Sequence, residues 1–295
     1  MKPAGFAYHR PTTVDDAVAV LAEVSPAGKV LAGGQSLVPL LNMRLAAPEH
    51  LVDINRLGEL AYVRAGGDAV TVGALARHAD VERDDAAYAV LPLLRDTLRY
   101  VAHPTIRNRG TTVGSIAHAD PAGELTAVLA LLAGTVTLRR AGGERTVGAA
   151  DFFTGPMSTC AGADELVTSV TFPVPEGRTG AVWTEVARRH GDYAVCGAGA
   201  VVTLDDDLRV AGARTAYVSM GPEPVVLDLT DAVAGTTYDD ADWPAAGRLA
   251  AGRLDPDDDI HATAAYRTHL AEVLTTRALR EAAGRAAVEA PGGRR

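Results

Sequence analysis

Lys29-Val30-Leu31-Ala32-Gly33-Gly34-Gln35-Ser36-Leu37-Val38-Pro39-Leu40-Leu41 reads as a short strand, a double-glycine turn and the start of a compact apolar stretch that runs to Leu45. Its surroundings decide the fold. Upstream, Thr12-Thr13-Val14-Asp15-Asp16 marks a helix start, because early carboxylates favour the positive end of a helix. Val14, Ala17, Val18 and Leu21 then fall on one face. Downstream, Leu51-Val52-Asp53-Ile54 is a second strand. Helix, strand, glycine turn, short helix and strand make a small α/β unit.

The texture then changes. Tyr62-Val63-Arg64-Ala65 and Ala69-Val70-Thr71-Val72 flank Gly66-Gly67-Asp68, the pattern of a hairpin. Gly73 to Ala79 enters a helix, and Leu91 to Leu98 is helical with Pro92 early, where a missing N–H costs least. His103 to Glu124 is polar and punctuated by glycine. Leu125 to Leu132 is an apolar helix, and Val136 to Arg139 a strand before Gly142-Gly143. Prolines and a glycine crowd Phe172-Pro173-Val174-Pro175-Glu176-Gly177, a natural lobe boundary. Beyond it, Ala181 to Val186, Val195 to Thr203 and Ala213 to Val218 are strands. Alanine-rich helices follow around Trp243 to Ala251 and Ile260 to Ala287. The pattern predicts an α+β chain whose C-terminal sheet is backed by helices, with a frayed tail over residues 289–295.

Bulk properties narrow the function. A net charge of -9 argues against a polyanionic partner such as nucleic acid. Local basic groups stand out at Arg99, Arg107 and Arg109, and at Arg188, Arg189 and His190. No run reaches the roughly 20 apolar residues of a membrane span. Met1 to Phe6 shows no apolar signal segment, so a cytoplasmic location is expected. Two cysteines, Cys160 and Cys196, are too few for an iron–sulfur cluster or a structural zinc site. His103, His118 and His190 lack metal-ligand spacing, so no metal site is expected.

Two glycine-bearing segments carry the chemistry. Ala32-Gly33-Gly34-Gln35-Ser36-Leu37 sits between strand and helix, where successive backbone N–H groups turn toward an anion and Ser36 offers a hydroxyl. It lacks the G-x-G-x-x-G and G-K-[ST] fingerprints. Alone it fits a tight structural turn as well as a phosphate cradle. The second is Asn108-Arg109-Gly110-Thr111-Thr112-Val113-Gly114-Ser115-Ile116-Ala117-His118-Ala119-Asp120-Pro121. Thr111, Ser115 and the backbone near Gly114 suit phosphate or ribose, and Asp120 suits ribose hydroxyls. Two such loops fit a diphosphate held from both sides.

The ordered set of motifs resembles the FAD-binding medium subunit of carbon monoxide dehydrogenase and xanthine dehydrogenase-like molybdenum hydroxylases, with its PCMH-type FAD-binding domain. The set begins with Phe6-Ala7-Tyr8-His9-Arg10-Pro11, the Ala32 to Pro39 turn and Leu51-Val52-Asp53-Ile54-Asn55. It continues with Ile106 to Thr111, Gly114 to Pro121 and Arg189-His190-Gly191-Asp192-Tyr193-Ala194. The resemblance implies a two-lobed FAD-binding domain over 1–177, with subdomains of about 1–57 and 58–177, and a smaller C-terminal domain over 178–288. It implies non-covalent FAD held by Ala32, Gly33, Gly34, Gln35, Ser36 and Leu37, and by Thr111, Gly114, Ser115, Ala117 and Asp120. Tyr193 matches the aromatic position beside the isoalloxazine. One departure is Val113, which replaces a usual glycine. Val113 is expected at negative φ in an extended conformation, pointing into protein.

By the same resemblance, the chain carries electrons rather than performing acid–base chemistry. Electrons reach the flavin from [2Fe–2S] clusters and leave to an outside acceptor. The implied partners are a large molybdopterin-binding subunit and a small [2Fe–2S] subunit, in a heterotrimer or its dimer. Two competing readings keep the nucleotide site: a stand-alone FAD-dependent oxidase or dehydrogenase, and a non-catalytic assembly protein.

Overall fold

The computed structural model describes residues 2–288, and the expected tail at 289–295 lies outside them. The first unit contains β1 (Ala7–His9), α1 (Val14–Val24), β2 (Gly28–Leu31), α2 (Leu37–Met43) and β3 (His50–Asp53). Helix α1 begins where the sequence predicts, with the Thr13 hydroxyl oxygen accepting from the Asp16 N–H at 3.1 Å. Val14, Ala17, Val18 and Leu21 are buried as expected. The strands lie in the order β1-β3-β2, all parallel. Parallel strands expose their carboxyl ends on one edge, where ligands gather. Gly33-Gly34 after β2 and Asp53-Ile54-Asn55 after β3 both lie on that edge.

The second unit is β4 (Val63–Ala65), β5 (Ala69–Gly73), α3 (His78–Arg83), α4 (Asp85–Val90), α5 (Pro92–Leu98), α6 (Pro104–Arg107), α7 (Thr112–His118), α8 (Glu124–Leu131), β6 (Thr135–Arg140), β7 (Gly143–Gly148), α9 (Ala149–Phe152), β8 (Phe153–Gly155), β9 (Ser158–Thr159) and β10 (Leu166–Pro173). Five strands form a sheet ordered β4-β5-β10-β6-β7. The predicted hairpin pairs Val63 with Val72 and Ala65 with Val70. The central strand, β10, has no counterpart in the sequence reading. Helix α3 starts only at His78, not at Gly73. The intervening backbone is claimed by neighbours instead: the Ala74 N–H donates to the Thr168 carbonyl and the Leu75 N–H to the Leu60 carbonyl.

The third unit is an antiparallel meander of β11 (Arg178–Val186), β12 (Cys196–Leu204), β13 (Val210–Val218) and β14 (Val225–Asp228), followed by α10 (Trp243–Ala251) and α11 (Ala264–Val288). One face carries α11 through an alanine stripe at Ala271, Ala278, Ala282 and Ala286, and α10 packs on α11, so helices back this sheet as the sequence predicts. The other face packs on α5 and α8. Trp183, Ala194, Ala216 and Val218 therefore belong to the same apolar core as the first two units. Arg267 of α11 braces the third unit itself, donating to the Val195 and Ser219 carbonyls at 2.6 and 3.0 Å and to Asp259 at 2.6 Å. No helix among the described residues is long and apolar enough to cross a membrane.

Candidate nucleotide-binding site

The turn after β2 packs against the second segment at Gly33. Gly34 has φ of 73°, and the Gln35 amide donates back to the Gly33 carbonyl at 3.0 Å. The N–H groups of Gly33, Gly34, Gln35 and Ser36 have no acceptor among the described residues. The Ser36 hydroxyl makes no cap bond to α2. Four adjacent free donors plus a hydroxyl form a nest suited to an anion. The Ala32 carbonyl is held by Asn55 Nδ2 at 2.8 Å, and Leu37 opens α2.

The second segment is largely helical rather than the loop read from the sequence. Thr111 is the N-cap of α7, its hydroxyl oxygen accepting from the Gly114 N–H at 3.1 Å. A Cβ on Gly114 would stand 2.4 Å from that oxygen, so glycine permits the cap. The Gly114 N–H is thus engaged within the chain, while the Thr111 hydroxyl hydrogen remains available to donate. Ser115 lies half-buried in the helix, and Ala117 is exposed on it. Val113 is at negative φ and 2% exposed, pointing into the core as expected, but it is helical rather than extended. Below the segment, Arg107 donates to Glu82 at 2.9 Å and to the Val101 and Ala102 carbonyls at 3.0 and 3.1 Å.

The two segments meet. A Cβ on Gly33 would lie 2.5 Å from the Arg109 carbonyl oxygen and 2.8 Å from Gly110 Cα. Arg77, which the sequence reading left inside a helix entry, ties them together. Its guanidinium donates to the Arg109 carbonyl at 2.7 Å and to Asn55 Oδ1 at 2.7 Å. Burial and the nearby Arg109 charge lower the Arg77 pKa. Asn55 is fixed in turn by Asp53, which accepts from the Asn55 N–H at 2.8 Å and from the Tyr8 hydroxyl. Burial raises the Asp53 carboxyl, but the bonds from Tyr8 and Asn55 outweigh it and leave its pKa below the ordinary value. No local motif singled out Arg77, because its two partners, Asn55 and Arg109, come from distant parts of the chain.

Asp120 and Tyr193 lie beside each other. Asp120 accepts from the Ala122 N–H at 2.9 Å. The Tyr193 ring is 68% exposed, yet partial desolvation and the charges of Asp120 and Glu124 raise its hydroxyl. The loop carrying it is docked by three contacts. The Ser219 N–H donates to the Pro121 carbonyl at 2.9 Å, and the Ser219 hydroxyl to the Ala194 carbonyl at 2.7 Å. Gly191 abuts His103. Among the described residues, no group of three or more His, Cys, Asp or Glu could hold a metal ion, and Cys160 and Cys196 are both free.

These residues fit FAD. The free N–H nest suits its diphosphate, Asp120 offers an acceptor of the kind a ribose takes, and Tyr193 offers an exposed ring of the kind that covers a flat heterocycle.

Comparison with known proteins agrees. Residues 4–175 match the family model of the FAD binding domain in molybdopterin dehydrogenase, and residues 181–282 match the CO dehydrogenase flavoprotein C-terminal domain. The chain is 40% identical over 288 residues to the caffeine dehydrogenase subunit beta of Pseudomonas sp. strain CBB1, covering 97% of each. It is 34% identical over 287 residues to the carbon monoxide dehydrogenase medium chain of Afipia carboxidovorans, covering 97% of this chain and 99% of the relative. The crystal structure of quinoline 2-oxidoreductase from Pseudomonas putida 86 superposes with a TM-score of 0.91 at 34% identity, covering 97% and 99%.

Proposed function

The chain belongs to the FAD-binding subunits of the molybdopterin dehydrogenases, and from that premise we propose how it holds its cofactor and with what it assembles. The observation that carries the reading is the row of four free N–H groups at Gly33–Ser36, facing the Arg109–Thr111 backbone across a contact braced by Arg77. The FAD diphosphate lies there, non-covalently bound, with Ala32 and Leu37 shaping the turn. The Ser36 and Thr111 hydroxyls donate to it, Ser115 and Ala117 line α7, and Gly114 keeps the cap in place. Asp120 accepts from ribose hydroxyls, and Tyr193 covers one edge of the ring.

FAD supplies the electron-transfer chemistry when bound, and the protein's part is binding, orientation and electrostatics. Tyr193 limits access of water and acceptor to the ring. Partial desolvation first, then the nearby Asp120, raises its hydroxyl, so it stays protonated. The cofactor-binding part spans residues 1–177, divided near 57, and the C-terminal part spans 178–288. Supporting this are the change from one sheet to the next between Pro173 and Arg178 and the reach of the two family models.

The partners are a large molybdopterin subunit and a small two-cluster [2Fe–2S] subunit, in a heterotrimer or its dimer within the cytoplasm. The names of the relatives, "subunit beta" and "medium chain", support a multi-subunit assembly. Purification from the native source tests the reading. Two co-purifying chains with molybdenum and iron, and FAD released by heat, are expected. A single chain, or FMN as the released flavin, contradicts it.

A further inference from the structure

The chain sets local basic groups against a net charge of -9. Two members of the first group, Arg99 and Arg107, take no part in the nucleotide cradle, and folding adds two more arginines to them. Arg83 at the end of α3, Arg95 in α5, Arg99 just after α5 and Arg107 at the end of α6 line one open cleft of about 520 Å³. Its acidic members are Glu82 and Asp85. The lining thus carries four positive charges against two negative, and it shares no residue with the two nucleotide segments or with Tyr193.

The carboxylates do not use up this charge. Glu82 is committed to Arg107, accepting from its Nε at 2.9 Å and from a terminal nitrogen at 3.3 Å. The Val101 and Ala102 carbonyls fix that pair further, so it makes a rigid wall. Asp85 accepts from Arg95 at 2.7 Å, but its side chain is 93% exposed. Water screens such a pair, which holds Arg95 only weakly. Asp96, behind the cleft, meets Arg99 at 3.8 Å and gives its other oxygen to Arg285 at 2.8 Å. Asp84 caps α4. The Arg83 side chain makes no hydrogen bond or ion pair with any described residue.

Arg95 adds an unsatisfied donor. Its guanidinium lies over the Tyr88 ring at 4.1 Å, and its Nε is sealed from water without an acceptor. A buried donor with no partner costs free energy, and a bound ion is one way such a group is satisfied. Arg83, Arg95 and Arg99 therefore present spare donors to one opening. A guanidinium fork matches carboxylate and phosphate alike. Charge separates the two: a surplus of two positive charges balances a phosphate dianion and overbalances one carboxylate. The volume falls within the roughly 300–1,000 Å³ of small-molecule sites, which leaves room for an organic group beside the phosphate.

We propose that this arginine cleft is a second anion site, taking a phosphate dianion, free or as the ester of a small molecule. Arg83 and Arg99 bind it from the exposed side and Arg95 from the sheltered one. The assignment is independent of the FAD reading, because the two sites share no residue.

The test is calorimetric titration of the full chain, loaded with one equivalent of FAD so that the first cradle is filled. The probes are phenyl phosphate, inorganic phosphate and benzoate, at about pH 7.5, where a phosphate ester is mostly a dianion. Phenyl phosphate should bind saturably at one site per chain, and benzoate about tenfold more weakly or worse. Phenyl phosphate binding tighter than inorganic phosphate assigns the cleft to an ester, and the reverse assigns it to the free ion. Arg83→Gln and Arg99→Gln, both at exposed positions, should each weaken phenyl phosphate about tenfold or more, the effect of a lost hydrogen bond to a charged group. Melting temperature and FAD content should not change. Arg140→Gln, at the end of β6 and outside the cleft, should leave binding as it is. No saturable binding, benzoate binding as tightly as phenyl phosphate, or binding unaltered in both cleft variants overturns the inference and leaves the FAD site untouched. A chain that takes up no FAD overturns the nucleotide reading alone, and the same titrations on it still decide the cleft.

Discussion

The Arg109 carbonyl oxygen lies 2.5 Å from where a Cβ on Gly33 would stand, so the two nucleotide segments touch backbone to backbone. Gly33→Ala cannot be absorbed by a flexible side chain, since the opposing atoms are main chain. The segments must separate, and the FAD dissociation constant should rise by about tenfold or more, the effect of losing one charge-assisted hydrogen bond. Titration of the apo-protein measures it. Unchanged affinity in a folded variant would show that the contact does not set the cradle.

Ser36 and Tyr193 should separate affinity from ring environment. Losing a hydrogen bond to a charged phosphate costs roughly 1.5–3 kcal/mol, so Ser36→Ala should weaken FAD binding about tenfold or more. Tyr193→Ala should chiefly change the flavin spectrum and reactivity with acceptors. An unaltered dissociation constant in Ser36→Ala contradicts the placement of the first segment.

Val113 faces the core from α7. Val113→Gly should change FAD affinity less than about tenfold. It should destabilise the chain by about 2–4 kcal/mol, combining a lost buried side chain with the helix penalty of glycine. Denaturant unfolding and FAD titration read the two effects separately. Tighter binding by more than tenfold would mean that the valine obstructs the site.

His78 lies under the second segment, 4% exposed, its Nδ1 3.3 Å from the Thr112 hydroxyl. Burial, with the Arg107 charge behind it, lowers its pKa to about 4. The unfolded chain therefore takes up the proton first, and stability falls as pH drops from about 6.5 toward 4. His78→Gln should flatten this part of the melting-temperature profile. Glu124 acts in the opposite sense: held at about 8, it loses stability as pH rises from its unfolded value toward 8. Glu124→Gln should gain on wild type across that range, and parallel profiles would contradict both assignments.

Local patterns were legible where one element satisfied itself. Thr13 with Asp15 and Asp16 announced α1, and Gly66-Gly67-Asp68 announced the hairpin. Helix α7 was not legible, since Thr, Val and Gly are poor helix formers and its start depends on the Thr111 cap. Strand β10 went unread although Leu166, Thr168, Val170 and Phe172 are buried in alternation. The nearby prolines drew attention to a boundary instead. In the site, the turn at Gly33–Ser36 could be read because its residues are consecutive. Arg77 could not, since its role exists only after Asn55 and Arg109 are brought to it.

A crystal structure of the chain with FAD tests the central claim most directly. The account predicts diphosphate oxygens within hydrogen-bonding distance of the Gly34, Gln35 and Ser36 N–H groups, with the ring beside Tyr193. FAD bound away from the Gly33–Arg109 contact, or a diphosphate that leaves those N–H groups without a partner, would contradict it.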